Sequence, residues 1–135
     1  MQTNVRKNKY SKEGIFMRII ENIQCVYSYR DENNNLKGGK YECTAVQGKG
    51  SISFCVNKFN KQLVIDEKFL KEALRKNESL EIDGAYVTLN SNIKEIKTSE
   101  CIVHINVMPL VTNLYIVDSN EAIGLSNLDL QRIMQ

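Results

Sequence analysis

Between Lys40 and Asn57 the chain reads KYECTAVQGKGSISFCVN. Ile52, Phe54 and Val56 fall on one parity and Ser51, Ser53 and Cys55 on the other, the period of a strand with one buried face. Tyr41, Cys43 and Ala45 alternate in the same way with Glu42, Thr44 and Val46. Between the two runs, Gly48-Lys49-Gly50 supplies residues that accept positive φ and leaves a cation at the tip. The pattern predicts a hairpin. Upstream, Ile15 to Tyr29 is dense in β-branched and aromatic residues, with Ile23, Cys25, Tyr27 and Tyr29 on one side. It predicts a long first strand, bent near Glu21-Asn22, and the polar RDENNNLKGGK after it reads as a turn. Three consecutive antiparallel strands follow from that order.

After Asn57, KFNKQLVI either finishes the third strand or loops away from it. Asp66 then stands as a helix N-cap, with Phe69, Leu70, Ala73 and Leu74 as one apolar stripe and Glu67–Lys71 and Glu72–Lys76 at ion-pair spacing. SLEIDGAYVTLN resumes strand character, with a parity switch at Asp83-Gly84 that a bulge or a two-residue hairpin would produce. A polar loop leads to CIVHINVMPLVTNLYIVD, a fifth strand bent or bulged at Pro109, in one piece or two. Ser126 and Asp129 resemble a capping box, so the end reads as a short helix or docking tail. Three strands, a helix and two strands is the element order of the five-stranded OB barrel. The expected division is a flexible basic arm over 1–14, an OB-fold domain over 15–118 and a tail or short helix over 119–135.

Composition narrows the classes. At 135 residues, with 42% apolar and 25% charged positions, the chain is one ordinary globular domain with tails. No apolar run is long enough for a membrane span and no signal-like segment follows the polar start, so a cytoplasmic protein with no membrane partner is expected. Cys25, Cys43, Cys55 and Cys101 are too scattered for a zinc motif, and neither a metal nor a cofactor is expected. His104 sits inside an apolar strand as a core or surface residue. With no nucleotide-binding glycine motif and no carboxylate cluster, an enzyme is not expected. The net charge of +2 is unevenly placed. Arg6, Lys7, Lys9 and Lys12 give the first dozen residues +4 with no acid, and the remaining 14 cations against 16 acids leave the body at −2. A start at Met17 would delete that arm altogether.

An OB barrel binds ligand on its second and third strands, here the central hairpin. Tyr27, Tyr29, Tyr41 and Phe54 are the candidate stacking platforms, with Lys37, Lys40, Lys49 and Lys58 beside the phosphates; Arg6, Lys7, Lys9 and Tyr10 of the arm extend the set. In element order over residues 15–117, basic arm and lone aromatics, the chain resembles the small OB-fold single-stranded DNA-binding proteins of phages and Gram-positive conjugative plasmids, the PrgE-like proteins. The resemblance implies binding of single-stranded DNA, or RNA, without strong sequence preference, in support of plasmid or phage replication or conjugation. It also implies a homo-oligomer bridged by the N-terminal arm. The competing expectation is a non-catalytic protein-interaction module or inhibitor encoded by a mobile element, which the body charge of −2 favours.

Overall fold

The protein is described by a computed structural model covering residues 4–5, 9–10, 16–90 and 95–135. Two short pairings come first, β1 (Asn4–Val5) and β2 (Lys9–Tyr10), both antiparallel to the long β3 (Phe16–Arg30). There follow β4 (Leu36–Gln47), β5 (Ser51–Val56), a 3-10 turn (Asn57–Phe59), β6 (Lys61–Asp66) and α1 (Glu67–Lys76). The chain continues with β7 (Leu80–Asn90), β8 (Glu95–Val107), β9 (Val111–Ile116), β10 (Glu121–Ser126) and α2 (Asn127–Ile133). Each strand from β3 to β10 pairs antiparallel with its sequence neighbour. β10 pairs back onto β3, which closes eight strands into one ring.

The fold is therefore mainly β with one internal helix and a short C-terminal one, and the ring carries eight strands where five were expected. Three expectations account for the difference. KQLVID is neither the tail of the third strand nor a loop: the turn after Val56, ending at Asn60 with φ 51, reverses the chain into β6. The run around Pro109 is a hairpin, β8 to β9, because proline removes a ladder donor at the reversal. EAIGLS, assigned to the tail, is β10 and closes the ring. Neighbours in the ring are neighbours in sequence throughout, so the Greek-key path of an OB barrel is absent.

The first strand bends where expected. Its register against β4 shifts between Ile20 and Ile23, with Asn22 at φ 60. The Asp83-Gly84 parity switch produces neither bulge nor hairpin, since β7 runs unbroken against β8 from Leu80 to Asn90. Gly84 is there for close approach: a Cβ at that position would meet Val103 Cγ2 at 3.0 Å, the Val64 carbonyl oxygen at 3.1 Å and Ile65 Cγ2 at 3.3 Å. Gly84→Ala should overpack the ring and lower the unfolding free energy by about 1–3 kcal/mol in urea titration. An unchanged midpoint would mean that the strands there separate easily.

Asp66 caps α1 by accepting from the Lys68 N–H, and both expected ion pairs form at 2.9 Å, Lys71 to Glu67 and Lys76 to Glu72. Leu70 and Ala73 are buried and Leu74 half-buried, whereas Phe69 faces solvent under the Lys68 ammonium. Ser126 caps α2 by accepting from the Asp129 N–H, which buries Leu130 and Ile133. The Arg18 guanidinium donates to the carbonyls of Ile133 and Gln135 and fastens its end to β3. Both helices follow strands that run away from Lys61 and Glu121, so they occupy one end of the ring; the other end, the mouth, is covered by no α-helix among the described residues. No helix of the described residues is long and apolar enough to cross a membrane.

Candidate functional site

The mouth is where inward-facing rings accumulate. Tyr27 and Tyr29 share the inner parity of β3 and stack at 5.3 Å with 22° between planes. Across the β3–β4 ladder, Tyr41 meets Tyr27 edge-on at 6.2 Å. Phe59 comes from the 3-10 turn and fills the centre, 5.2 Å from Tyr27, 5.4 Å from Tyr29 and 5.2 Å from Tyr41. The turn is tied to β4 by the Thr44 hydroxyl, which donates to Asn57 Oδ1 at 3.0 Å. Lys58 extends from it over the cluster, its Nζ 5.6 Å from the Tyr41 centroid and 5.9 Å from that of Phe59.

Beneath the rings lies a charged plug. Glu121, 5% exposed, accepts from the Tyr27 hydroxyl at 2.6 Å, from Lys61 at 2.7 Å and from Ser119 at 3.0 Å. Burial pushes the Glu121 carboxyl up, but the Lys61 ammonium and the Tyr27 and Tyr86 hydroxyls outweigh it and hold the group below the usual carboxylate range. Burial, and then the carboxylate itself, push the Tyr27 and Tyr86 phenols up. The Tyr86 hydroxyl is buried without a well-formed hydrogen bond. The plug is consumed in neutralising itself, whereas the rings above it have accessible edges.

Of the residues expected to bind ligand, Tyr29 and Tyr41 are half-buried in the cluster and Lys58 caps it. Lys37 lies opposite Tyr29 and Lys40 opposite Val26, both exposed on β4. Tyr27 is 1% exposed and serves as the floor of the cluster. Phe54, at 0%, is wholly inside the core and offers no face to a base. Lys49 is exposed at the far end of β4, roughly 35 Å of strand away from Lys37, and does not join the mouth. Lys9 and Tyr10 pair through their backbone with Met17 and Phe16, while Arg6 and Lys7 lie outside the described residues, as does most of the 1–14 arm.

Sequence reasoning missed Phe59, Lys61, Tyr86 and Glu121. A signal for two of them existed: Lys61 shares the buried parity of Leu63 and Ile65, and Glu121 that of Ile123 and Leu125. A charge at the head of a buried row in each of two strands is the mark of an interior ion pair. His104 is on the outer face, where its Nε2 meets Glu81 at 2.6 Å. Cys25, Cys43 and Cys101 are buried free thiols and Cys55 is half-buried. Among the described residues, no group of three His, Cys, Asp or Glu side chains converges as metal ligands. Comparison with protein-family models, curated proteins and solved structures finds no match.

Proposed function

We propose that the protein binds single-stranded DNA without strong sequence preference, stacking bases on the aromatic mouth of the ring. The observation that carries this reading is the Tyr29–Tyr41–Phe59 cluster, half-buried and capped by Lys58, with Lys37 opposite Tyr29 on the same face and Lys40 on the outer face of the same strand. A fixed aromatic platform with cations at its rim suits bases that are already unpaired, since every base has a stacking face and duplex ends are few. We read the whole as an accessory to replication or transfer of a plasmid or phage, related in role to the PrgE-like proteins. The arm's Lys9 pairs beside Met17 at the far end of β3 from the mouth, so the phosphate cations nearest the platform are those of β4 and the 3-10 turn. In this reading the closed ring is a small barrel filled by its own side chains, with the ligand at its rim.

Fluorescence anisotropy of labelled single-stranded DNA, RNA and duplex at two salt concentrations tests the proposal. Single-stranded DNA should bind best and weaken as salt rises. Tyr41→Ala should lose roughly 5- to 150-fold in affinity, the value of one stacking platform, while Lys49→Ala changes little. No binding at low salt and micromolar protein sinks the assignment. In that case a protein-interaction role is favoured by a different feature, an apolar groove of about 360 Å³ on the outer face between Val26, Met108, Val111 and Gly124.

A further inference from the structure

Two hairpins stand above the mouth, and each has one unpaired backbone edge. β5 pairs with β4 only from Cys43 to Gln47, and β9 with β8 only from Val103 to Val107. Among the described residues, Leu36–Glu42 and Glu95–Cys101 therefore have a partner on one side only. Antiparallel ladders alternate in which groups face a given neighbour, and two bonds fix the phase. Gly48 N–H donates to the Ser51 carbonyl at 2.9 Å, so the N–H and C=O of residues 42, 40, 38 and 36 face the side that β5 has left. Val117 N–H donates to the Ile102 carbonyl at 3.0 Å, so those of residues 100, 98 and 96 face the side that β9 has left. Neither edge carries a proline or a bulge, two of the devices against edge pairing; a third, charged side chains, is present on both, and their signs decide which edge can be met. The same chain does cover part of β3, where Asn4–Val5 lie opposite Ile20 and Glu21.

We infer that these edges bind a second copy of this chain, β4 of one subunit pairing antiparallel with β8 of the other. The net charges are complementary: β4 brings exposed Lys37 and Lys40 against Glu42, with Lys58 at its foot, and β8 brings exposed Glu95 and Glu100 against Lys97, with Asp118 at its foot. The register that engages every free group of β8 sets Gly38 against Glu100, Lys40 against Thr98 and Glu42 against Ile96. Lys40 then lies diagonally beside Glu100 of the partner subunit, and Tyr41 faces Lys97 of the partner subunit. No like charges stand directly opposite. Further along either strand, β5 or β9 already occupies the edge.

Both open edges face the same way round the ring, β4 toward β5 and β8 toward β9. Two copies set mouth to mouth about a two-fold axis consequently make the pairing twice, with each hairpin seated in a notch of the other copy's rim. This closes the mouth over the aromatic cluster, so a second copy and a nucleic acid compete for it.

The test needs no nucleic acid, which keeps its outcome separate from that of the proposed DNA binding. Light scattering on the full chain at low salt should show mass rising with concentration toward twice the monomer value, and Thr98→Pro, which removes an edge donor, should stay monomeric with an unchanged circular dichroism spectrum. Lys40→Cys mixed with Thr98→Cys should give an oxidised dimer on a non-reducing gel that neither variant gives alone, a readout that survives if the proline variant fails to fold. A wild-type protein monomeric at high micromolar concentration overturns the inference. So does cross-linking no stronger in the mixture than in either variant alone.

Discussion

Phe54→Ala should remove about 3–5 kcal/mol of unfolding free energy, the cost of deleting a fully enclosed ring from a packed core. Phe54 is 0% exposed in the middle of β5, with Ala45 and Leu63 as its cross-strand neighbours. Those neighbours belong to ladders on both sides, and their backbones are held in register, so the cavity cannot close by moving one strand. A domain of this kind has roughly 5–15 kcal/mol in all, so the variant should unfold at much lower urea and in part at body temperature. Equilibrium urea unfolding followed by circular dichroism measures it. The folded fraction should keep its affinity for single-stranded DNA, in contrast to Tyr41→Ala, which should cost less stability, because its ring is only half-buried, and lose affinity. A stability loss under about 1 kcal/mol would place Phe54 at a surface and reopen its role as a platform.

The contrast between Phe54 and Tyr41 shows what the sequence could and could not disclose. Period-two alternation identifies two faces of a strand but is symmetric between ring interior and exterior, so Phe54 and Tyr41 look alike in sequence although one is core and the other lies at the rim. Position along the strand decides their fates, and this depends on which neighbours extend beyond which. β4 outruns β5 by seven residues at the mouth, a fact of pairing that neither strand encodes alone. Local signals fared better. The bend at Asn22, the glycine hairpin after Gln47, the Asp66 cap and the Ser126 cap are each made by residues within one turn of one another. Strand count failed where the reversal carried no glycine: Asn60 turns the chain into β6 in the left-handed region, and Asn120, at φ 53, turns it into β10.

The charge of the body is unevenly placed. Glu121 and Lys61 neutralise each other inside the ring, which leaves the remaining −2 to the other residues. Glu95, Glu100 and Asp118 outnumber Lys97 around the open edge of β8, while Lys37, Lys40 and Lys58 outnumber Glu42 around that of β4. The sign of the surface therefore changes across one rim within a single chain.

Glu121→Gln should lower stability at neutral pH by about 3 kcal/mol, the low end for breaking a buried ion pair, because Lys61 keeps 32% of its side chain exposed and can partly rehydrate. The amide preserves the shape and can still accept from Tyr27, so the loss reports the charge. The pH dependence gives the sharper reading. Glu121 titrates below its ordinary value in the folded protein, so its contribution is complete above the unfolded value of about 4.3 and is lost as pH falls through the folded one. Wild type should thus lose stability more steeply than Glu121→Gln on acidification, and the gap between them should narrow. Urea unfolding of both proteins from neutral pH down into this range measures the gap directly. Pairing each with Lys61→Met completes a double-mutant cycle, in which the second loss should be much smaller than the first because the two charges answer each other. A gap that widens as the pH falls would mean that Glu121 is already neutral in the fold, and that the tyrosine hydroxyls rather than Lys61 hold the plug together.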